Sequence, residues 1–328
     1  MHCDTIAAIM QNMADSLTEN TLSIDLKKLK EADVLVQFFA CFIYAPMHEE
    51  GLSKEEMNRV KETGIISSKA WDRAYSYALK MAERIDTEAK GRMKVISSYT
   101  QIDPDNKNEM YAVKTVEEGG ILNGDITRLD TLYQAGIRLI TLTWNFPNCI
   151  GFPNSPDPEK TKKGLTPFGI EVVNRMNELH MMIDVSHLSD GGFWDCMKYS
   201  KKPVCASHSD ARALCGHKRN LTDEMIHTLG NQGGVCGLNI YPAFLRNDLN
   251  ATVDDVAVHA LYLIDKGGED LPAVGTDFDG FENPYKENWL NTAADMPLLW
   301  EAMKKRGITE RQLDKICYKN VLRFMNEV

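Results

Sequence analysis

No stretch of this sequence approaches the roughly 20 apolar residues that span a bilayer. The longest candidate, Val34 to Tyr44, is too short and is interrupted by Gln37. The opening residues, Met1-His2-Cys3-Asp4-Thr5, lack the basic and apolar regions of a secretory signal. Basic clusters are scarce too: Lys160 to Lys163 and Lys201-Lys202 are short, and the net charge is -10. That excludes the Lys/Arg stripe a nucleic-acid backbone demands. No Gly-x-Gly-x-x-Gly follows an apolar run, so a dinucleotide site has no support. The eight cysteines, at positions 3, 41, 149, 196, 205, 215, 236 and 317, sit singly in apolar runs. Without pairable spacing they read as reduced, mostly buried thiols. These absences predict a cytoplasmic protein with no membrane span and no nucleic-acid partner. Repeats and linkers are missing as well, so residues 1–328 are expected to form one domain.

What is present is a pair of short apolar runs that each end on histidine: Asp184-Val185-Ser186-His187 and Pro203-Val204-Cys205-Ala206-Ser207-His208. Both read as buried parallel strands. A single buried histidine is commonly satisfied by backbone groups. Two in matching strand-end positions instead make half a site for a zinc-like ion, which favours neutral imidazole nitrogen.

Apolar runs near 2–4, 33–40, 110–117, 137–143, 181–187, 203–208, 234–239 and 273–277 alternate with helical patterns. Eight βα units in one chain of this length predict a closed (β/α)8 barrel of the TIM type, in the α/β class. Residues 45–105 form the largest decoration, a helical insertion. Within it, Ser53 to Ala89 has helical periodicity with a break at Gly64, while His48, Glu49 and Glu50 read as a solvated loop.

Polar residues close nearly every strand: His2 and Asp4, Glu117, Asn145, His187, His208, Asn239 and Tyr241, and Asp277. In a barrel all strands finish on one rim, where the chemistry sits. His2-x-Asp4 puts both side chains on one face of a strand. Glu117, followed by Glu118-Gly119-Gly120, is placed to bridge two ions, with the glycines allowing a tight turn beside it. This donor set suits a two-metal hydrolytic centre better than a structural zinc. His2, Asp4 and Glu117 are assigned to one ion, and Glu117, His187 and His208 to the other. A water shared by two ions loses a proton near neutral pH and becomes the nucleophile. Asp277 is assigned to take that proton and pass it to a leaving amine. Arg219, in a polar loop, suits bidentate binding of a carboxylate.

Five segments together resemble the membrane (renal) dipeptidase family of zinc peptidases and its bacterial homologues. They are His2-x-Asp4; Val116-Glu117 with Leu132 to Arg138; Ile183 to His187; Ser207-His208-Ser209 with Lys218-Arg219-Asn220; and Gly275 to Gly280. The resemblance covers nearly the whole chain. It implies a (β/α)8 barrel, two zinc ions bridged by Glu117, and hydrolysis of dipeptides, with tolerance of a D-residue at the C-terminal position and frequent homodimers. It gives Arg219 the dipeptide's carboxylate and Asp277 the acid/base role. Three departures follow. The family has an Asp two places before its first metal histidine, which this sequence does not contain, so the first strand reads as short and the first metal site as weakened. Trp144-Asn145 stands where mammalian members have a substrate-binding histidine, and Asn145 is expected to contact substrate as an oxyanion donor. A tyrosine of the mammalian enzymes falls near Phe244, leaving Tyr241 as its substitute against substrate. The rival reading is a deaminase or lactonase on the same barrel. It lacks support here, since the first strand carries His-x-Asp rather than His-x-His and the fourth ends without lysine. A barrel that has lost activity is the third reading.

Overall fold

The computed structural model describes residues 1–328. Parallel strands follow one another in chain order around a curled sheet: β1 (Val36–Phe42), the two-residue β2 (Lys94–Val95), β3 (Tyr111–Glu117), β4 (Ile137–Thr141), β5 (Met182–Asp184), β6 (Cys205–Ala206), β7 (Val235–Leu238) and β8 (Pro272–Val274). β2 pairs only with Tyr111 and Ala112 of β3, below the point where β4 joins at Lys114. The remaining place in the wall, between β8 and β1, is filled by Met1–Asp4. Cys3 bridges Phe278, the Asp4 N–H donates to the Phe278 carbonyl (2.9 Å), and the Ala40 N–H donates to the Cys3 carbonyl (3.0 Å). This short ladder closes a (β/α)8 barrel. Beside Met1 and His2 a mainly apolar cavity of about 340 Å³ lies between Val34–Phe38 and Val274.

The continuous apolar runs suit strands covered on both faces, and the period of two sorts their side chains. Phe38, Tyr111, Val113, Leu139, Met182, Cys205, Val235 and Ala273 form an inner cluster, plugged by Val321, Phe324 and Met325 of the C-terminal helix. Their alternates Val116, Ile140, Ile183, Ala206 and Cys236 pack outward into the helical layer. Continuing the inner phase upward by twos gives Thr115 and Glu117, Thr141, Asp184, Asn239, and Asp277. The interior therefore turns polar only at its C-terminal end. Register keeps that end level, with Glu117 opposite Thr141 and Thr141 opposite Asp184. Gly237 and Gly275 belong to the same inner phase. A Cβ on either would lie 2.0 or 1.9 Å from the Ser207 carbonyl oxygen, so glycine is what lets the end of β6 lean into the barrel.

Between β1 and β2 lie the helices Lys54–Thr63 and Ser68–Ala89. Ser53 and Glu56 form a capping box for the first, and Gly64, at φ +67°, ends it in a left-handed turn, as expected from the sequence. Helices stand where the sequence reading placed none, the longest of them Thr5–Met10 and Met296–Lys305. The strand ends also need correction. β5 stops at Asp184, three residues before His187, β6 stops at Ala206, and β8 stops at Val274. Asp4 leads directly into a helix, and Tyr241 N-caps the short helix Pro242–Leu245 instead of finishing β7. No helix is long and apolar enough to cross a membrane.

Candidate active site and metal centre

The strands end early because a buried carboxylate diverts them. Asp184 is fully buried; its Oδ1 accepts the N–H groups of Ser186 (3.0 Å) and Ser207 (2.8 Å), and its Oδ2 accepts the hydroxyls of Thr141 and Ser207 (both 2.6 Å). These bonds peel β5 and β6 off the ladder and tie their exits together. His187 then sits at φ +67° and Asp277 at φ +61°. A left-handed residue other than glycine costs roughly 1–2 kcal/mol, and such strain concentrates at functional sites. Asp184→Ala strands four buried donors. It is expected to lower the unfolding free energy by about 3 kcal/mol or more, read from the urea midpoint.

The same hub fixes the state of His208. The Ser207 hydroxyl has one proton, which goes to Asp184, so its oxygen accepts from His208 Nδ1 at 2.7 Å. His208 Nε2 is left with a bare lone pair. His187 reaches the same state separately, because its Nδ1 lies 3.0 Å from the Asn145 side-chain oxygen and donates to it. The two bare Nε2 atoms face each other across 3.1 Å, and Glu117 Oε1 lies 3.0 Å from one and 3.6 Å from the other. Three acceptors without a shared proton repel at this range; a cation among them turns repulsion into ligation. Burial lowers the pKa of both imidazoles well below the ordinary value, which keeps them neutral as ligands require.

Glu117 reaches the other way through Oε2, 3.2 Å from His2 Nε2, which also lies 3.6 Å from Asp4 and 3.8 Å from Asp277. His2 is buried and neither ring nitrogen makes a hydrogen bond; Asp4 Oδ1 is equally without a partner. Burial opposes charge on His2, but the Glu117 and Asp4 carboxylates outweigh it and raise its pKa. Burial pushes Glu117 up to about 7 and Asp277 up to about 6. Three carboxylates crowded among unpartnered imidazole nitrogens form a donor set that fits divalent cations. The segment is held by Asp279, which accepts the Thr5 hydroxyl (2.6 Å) and the Ser23 N–H (2.8 Å). His2 and Asp4 are thus in place even though only one residue of this strand joins the ladder.

All five residues assigned to metal come together, and Asp277 with them. Asp277 Oδ2 accepts from Asn239 Nδ2 at 3.0 Å, which aims Oδ1 at His2. Arg219 departs from the sequence reading by being buried, not exposed in its loop. One Nη donates to the His208 carbonyl (3.1 Å), the guanidinium lies over Phe244 at 5.3 Å, and Nε has no partner. Buried charge without an ion pair is costly, and a ligand carboxylate would satisfy it. Asn145 faces His187 as its orienting partner. Tyr241 packs its ring on Phe244 and Phe281, 5.0 Å from each. The residues that position the ligands (Asp184, Ser207, Asn239) carried no assigned role in the sequence reading. Their only signal there was a polar side chain inside an apolar run.

A closed parallel barrel whose rim gathers imidazoles and carboxylates around cation-sized gaps is a metal-dependent hydrolase. The chain belongs to the membrane dipeptidase family, peptidase family M19, whose pattern matches residues 1–328. It is therefore a metallo-dipeptidase in class. An uncharacterized dipeptidase of Schizosaccharomyces pombe is 30% identical over 94% of this chain and 72% of its own length. A Klebsiella pneumoniae protein from the pqqA 5′ region is 35% identical over 76% of this chain and 94% of its own. Among solved structures, the family M19 metallopeptidase named dipeptidase AC superposes with a TM-score of 0.85 at 27% identity, covering 99% of this chain and 96% of that one. A Rhodobacter sphaeroides metallopeptidase, solved with a phosphinate mimic of L-Ala-D-Ala, gives 0.84 at 26% identity, covering 99% and 97%.

Proposed function

We propose that this chain hydrolyses dipeptides, both L-L and L-D, with two zinc ions held by its rim residues, and that residues 1–328 act as one barrel domain. The observation that carries the reading is the facing pair of lone pairs on His187 and His208, with one Glu117 oxygen between them and the other turned to His2. His187, His208 and Glu117 would hold one ion, and His2, Asp4 and Glu117 the other. Bound there, such ions supply an acidified water and polarise a carbonyl oxygen. Asp277, steadied by Asn239, accepts the proton of the attacking water at Oδ1 and returns it to the departing amine. Arg219 holds the C-terminal carboxylate through its free Nε and guanidinium edge. Tyr241 borders the substrate beside it, and Asn145 keeps His187 in its ligating tautomer. The Rhodobacter sphaeroides relative's ligand supports including D-residues at the second position.

The test is a panel of L-L and L-D dipeptides with zinc-loaded protein. Turnover is expected with two equivalents of zinc and its loss in chelator; zinc-loaded protein that cleaves no dipeptide overturns the reading. In the same panel Arg219→Ala should raise KM for free dipeptides by about 10- to 100-fold, the worth of a charge-assisted hydrogen bond. C-terminally amidated dipeptides should be little affected. Equal effects on both forms would remove the carboxylate from Arg219.

A further inference from the structure

Two aromatic groups flank the centre on opposite sides. On the Arg219 side stand Tyr241, Phe244 and Phe281. On the other, Trp144 lies 6.2 Å from His187, 5.1 Å from Phe42, 5.6 Å from Tyr44 and 5.3 Å from Phe146. Phe42, Tyr44 and Trp144 are half-buried. Phe42 ends β1, opposite Glu117, and Trp144 follows β4. The Tyr44 hydroxyl is turned away toward Met57 Sδ at 3.8 Å. The rings form a wall without a charged side chain.

Rim order sets what meets that wall. Going round the barrel, Trp144 precedes His187, His208 follows, and Arg219 lies beyond His208. A dipeptide whose carboxylate sits on Arg219 and whose scissile carbonyl lies over the His187–His208 pair must extend its first residue toward Trp144. The geometry points to Phe42, Tyr44 and Trp144 as the subsite for the side chain of the substrate's first residue, with Trp144 selecting large apolar side chains there; this rests on the dipeptidase reading above. The wall is preorganised. Glu118, a buried carboxylate at φ +96°, accepts from Asn148 Nδ2 (2.6 Å), the Gly120 N–H (2.7 Å) and the Trp144 N–H (3.4 Å), and so fixes the loop that carries the indole. A rigid apolar surface next to the reacting carbonyl rewards hydrophobic area without an ordering cost.

The experiment measures kcat/KM for dipeptides that share a C-terminal alanine and carry Gly, Leu, Phe, Glu or Lys first, using zinc-loaded wild type, Trp144→Ala, Trp144→Phe and Tyr44→Ala. Wild type should favour Phe and Leu over Gly by about tenfold or more, the scale of hydrophobic pocket discrimination. Trp144→Ala should collapse that ratio and Trp144→Phe should restore most of it. Tyr44→Ala, at the far side of the wall, should shrink the ratio if Trp144→Ala fails to fold. Equal rates for Gly and Phe, a preference for Glu or Lys, or a ratio unmoved in both alanine variants would overturn the subsite while leaving the dipeptidase reading intact. Absence of turnover across the whole panel would overturn both.

Discussion

Glu117→Gln should leave a folded protein that holds at most one zinc equivalent and cleaves dipeptides more than about 100-fold slower. Even outer partners of metal ligands are worth about 10–100-fold, and Glu117 is nearer than any of them. Both of its oxygens are committed, Oε1 to the His187–His208 pair at 3.0 and 3.6 Å and Oε2 to His2 at 3.2 Å. Glutamine has the same shape but can present an oxygen to only one side; the other receives an amide whose hydrogens oppose a cation. The negative charge shared by the two trios also disappears. Folding supplies a control of opposite sign. In chelator the wild-type site buries Asp4 and Glu117 together, with Asp277 half-buried beside them, and burial pushes Glu117 up to about 7. Removing one carboxylate relieves that crowding, so metal-free Glu117→Gln should melt no lower than metal-free wild type. Zinc content by elemental analysis, dipeptide turnover, and melting in chelator measure the three parts separately. Full activity in the variant would exclude Glu117 as the shared ligand.

The barrel was legible in the sequence because its signals are local. Eight apolar runs spaced by helical patterns require nothing beyond period and length, and Glu117 ends β3 where the reading placed it. The candidate ligands that meet at the rim were legible for a related reason: a charged or imidazole side chain inside an apolar run is conspicuous. What stayed hidden depends on groups distant in the chain. β5 and β6 were read several residues too long because the carboxylate that cuts them short, Asp184, works through Ser207, 23 positions away. The left-handed turns at His187 and Asp277 leave no local trace, since neither residue is glycine. Arg219 looked like an exposed loop residue, but Phe244, folded beneath it, and the His208 carbonyl are among the distant groups it is buried against. Asn145 was placed at the rim by its position after β4, but the bond from its oxygen to His187, 42 positions away, could not be read there. In each case the identity of the residue could be read locally, but its partner could not.

Asp277→Asn is the sharper test of mechanism, because it separates two roles the geometry brings close. Asp277 Oδ1 lies 3.8 Å from His2 Nε2, within reach of the gap shared with Asp4, while Oδ2 is anchored by Asn239 at 3.0 Å. Asparagine can keep its oxygen toward Asn239 and turn its amide nitrogen to the centre, preserving shape while removing the proton acceptor. If Asp277 carries the proton, kcat should fall by about 10²- to 10⁴-fold, the usual worth of a positioned acid/base, with KM little changed and two zinc equivalents retained. If it serves as a metal ligand instead, zinc content and activity should fall together, and added zinc should recover part of the rate. The leaving group gives a second, independent reading. A dipeptide analogue whose departing group needs no protonation bypasses the acid half of the cycle. The deficit of Asp277→Asn should therefore shrink on such a substrate under the acid/base assignment. Under a ligand role it should persist, because the loss would then lie in holding the cation before any proton moves.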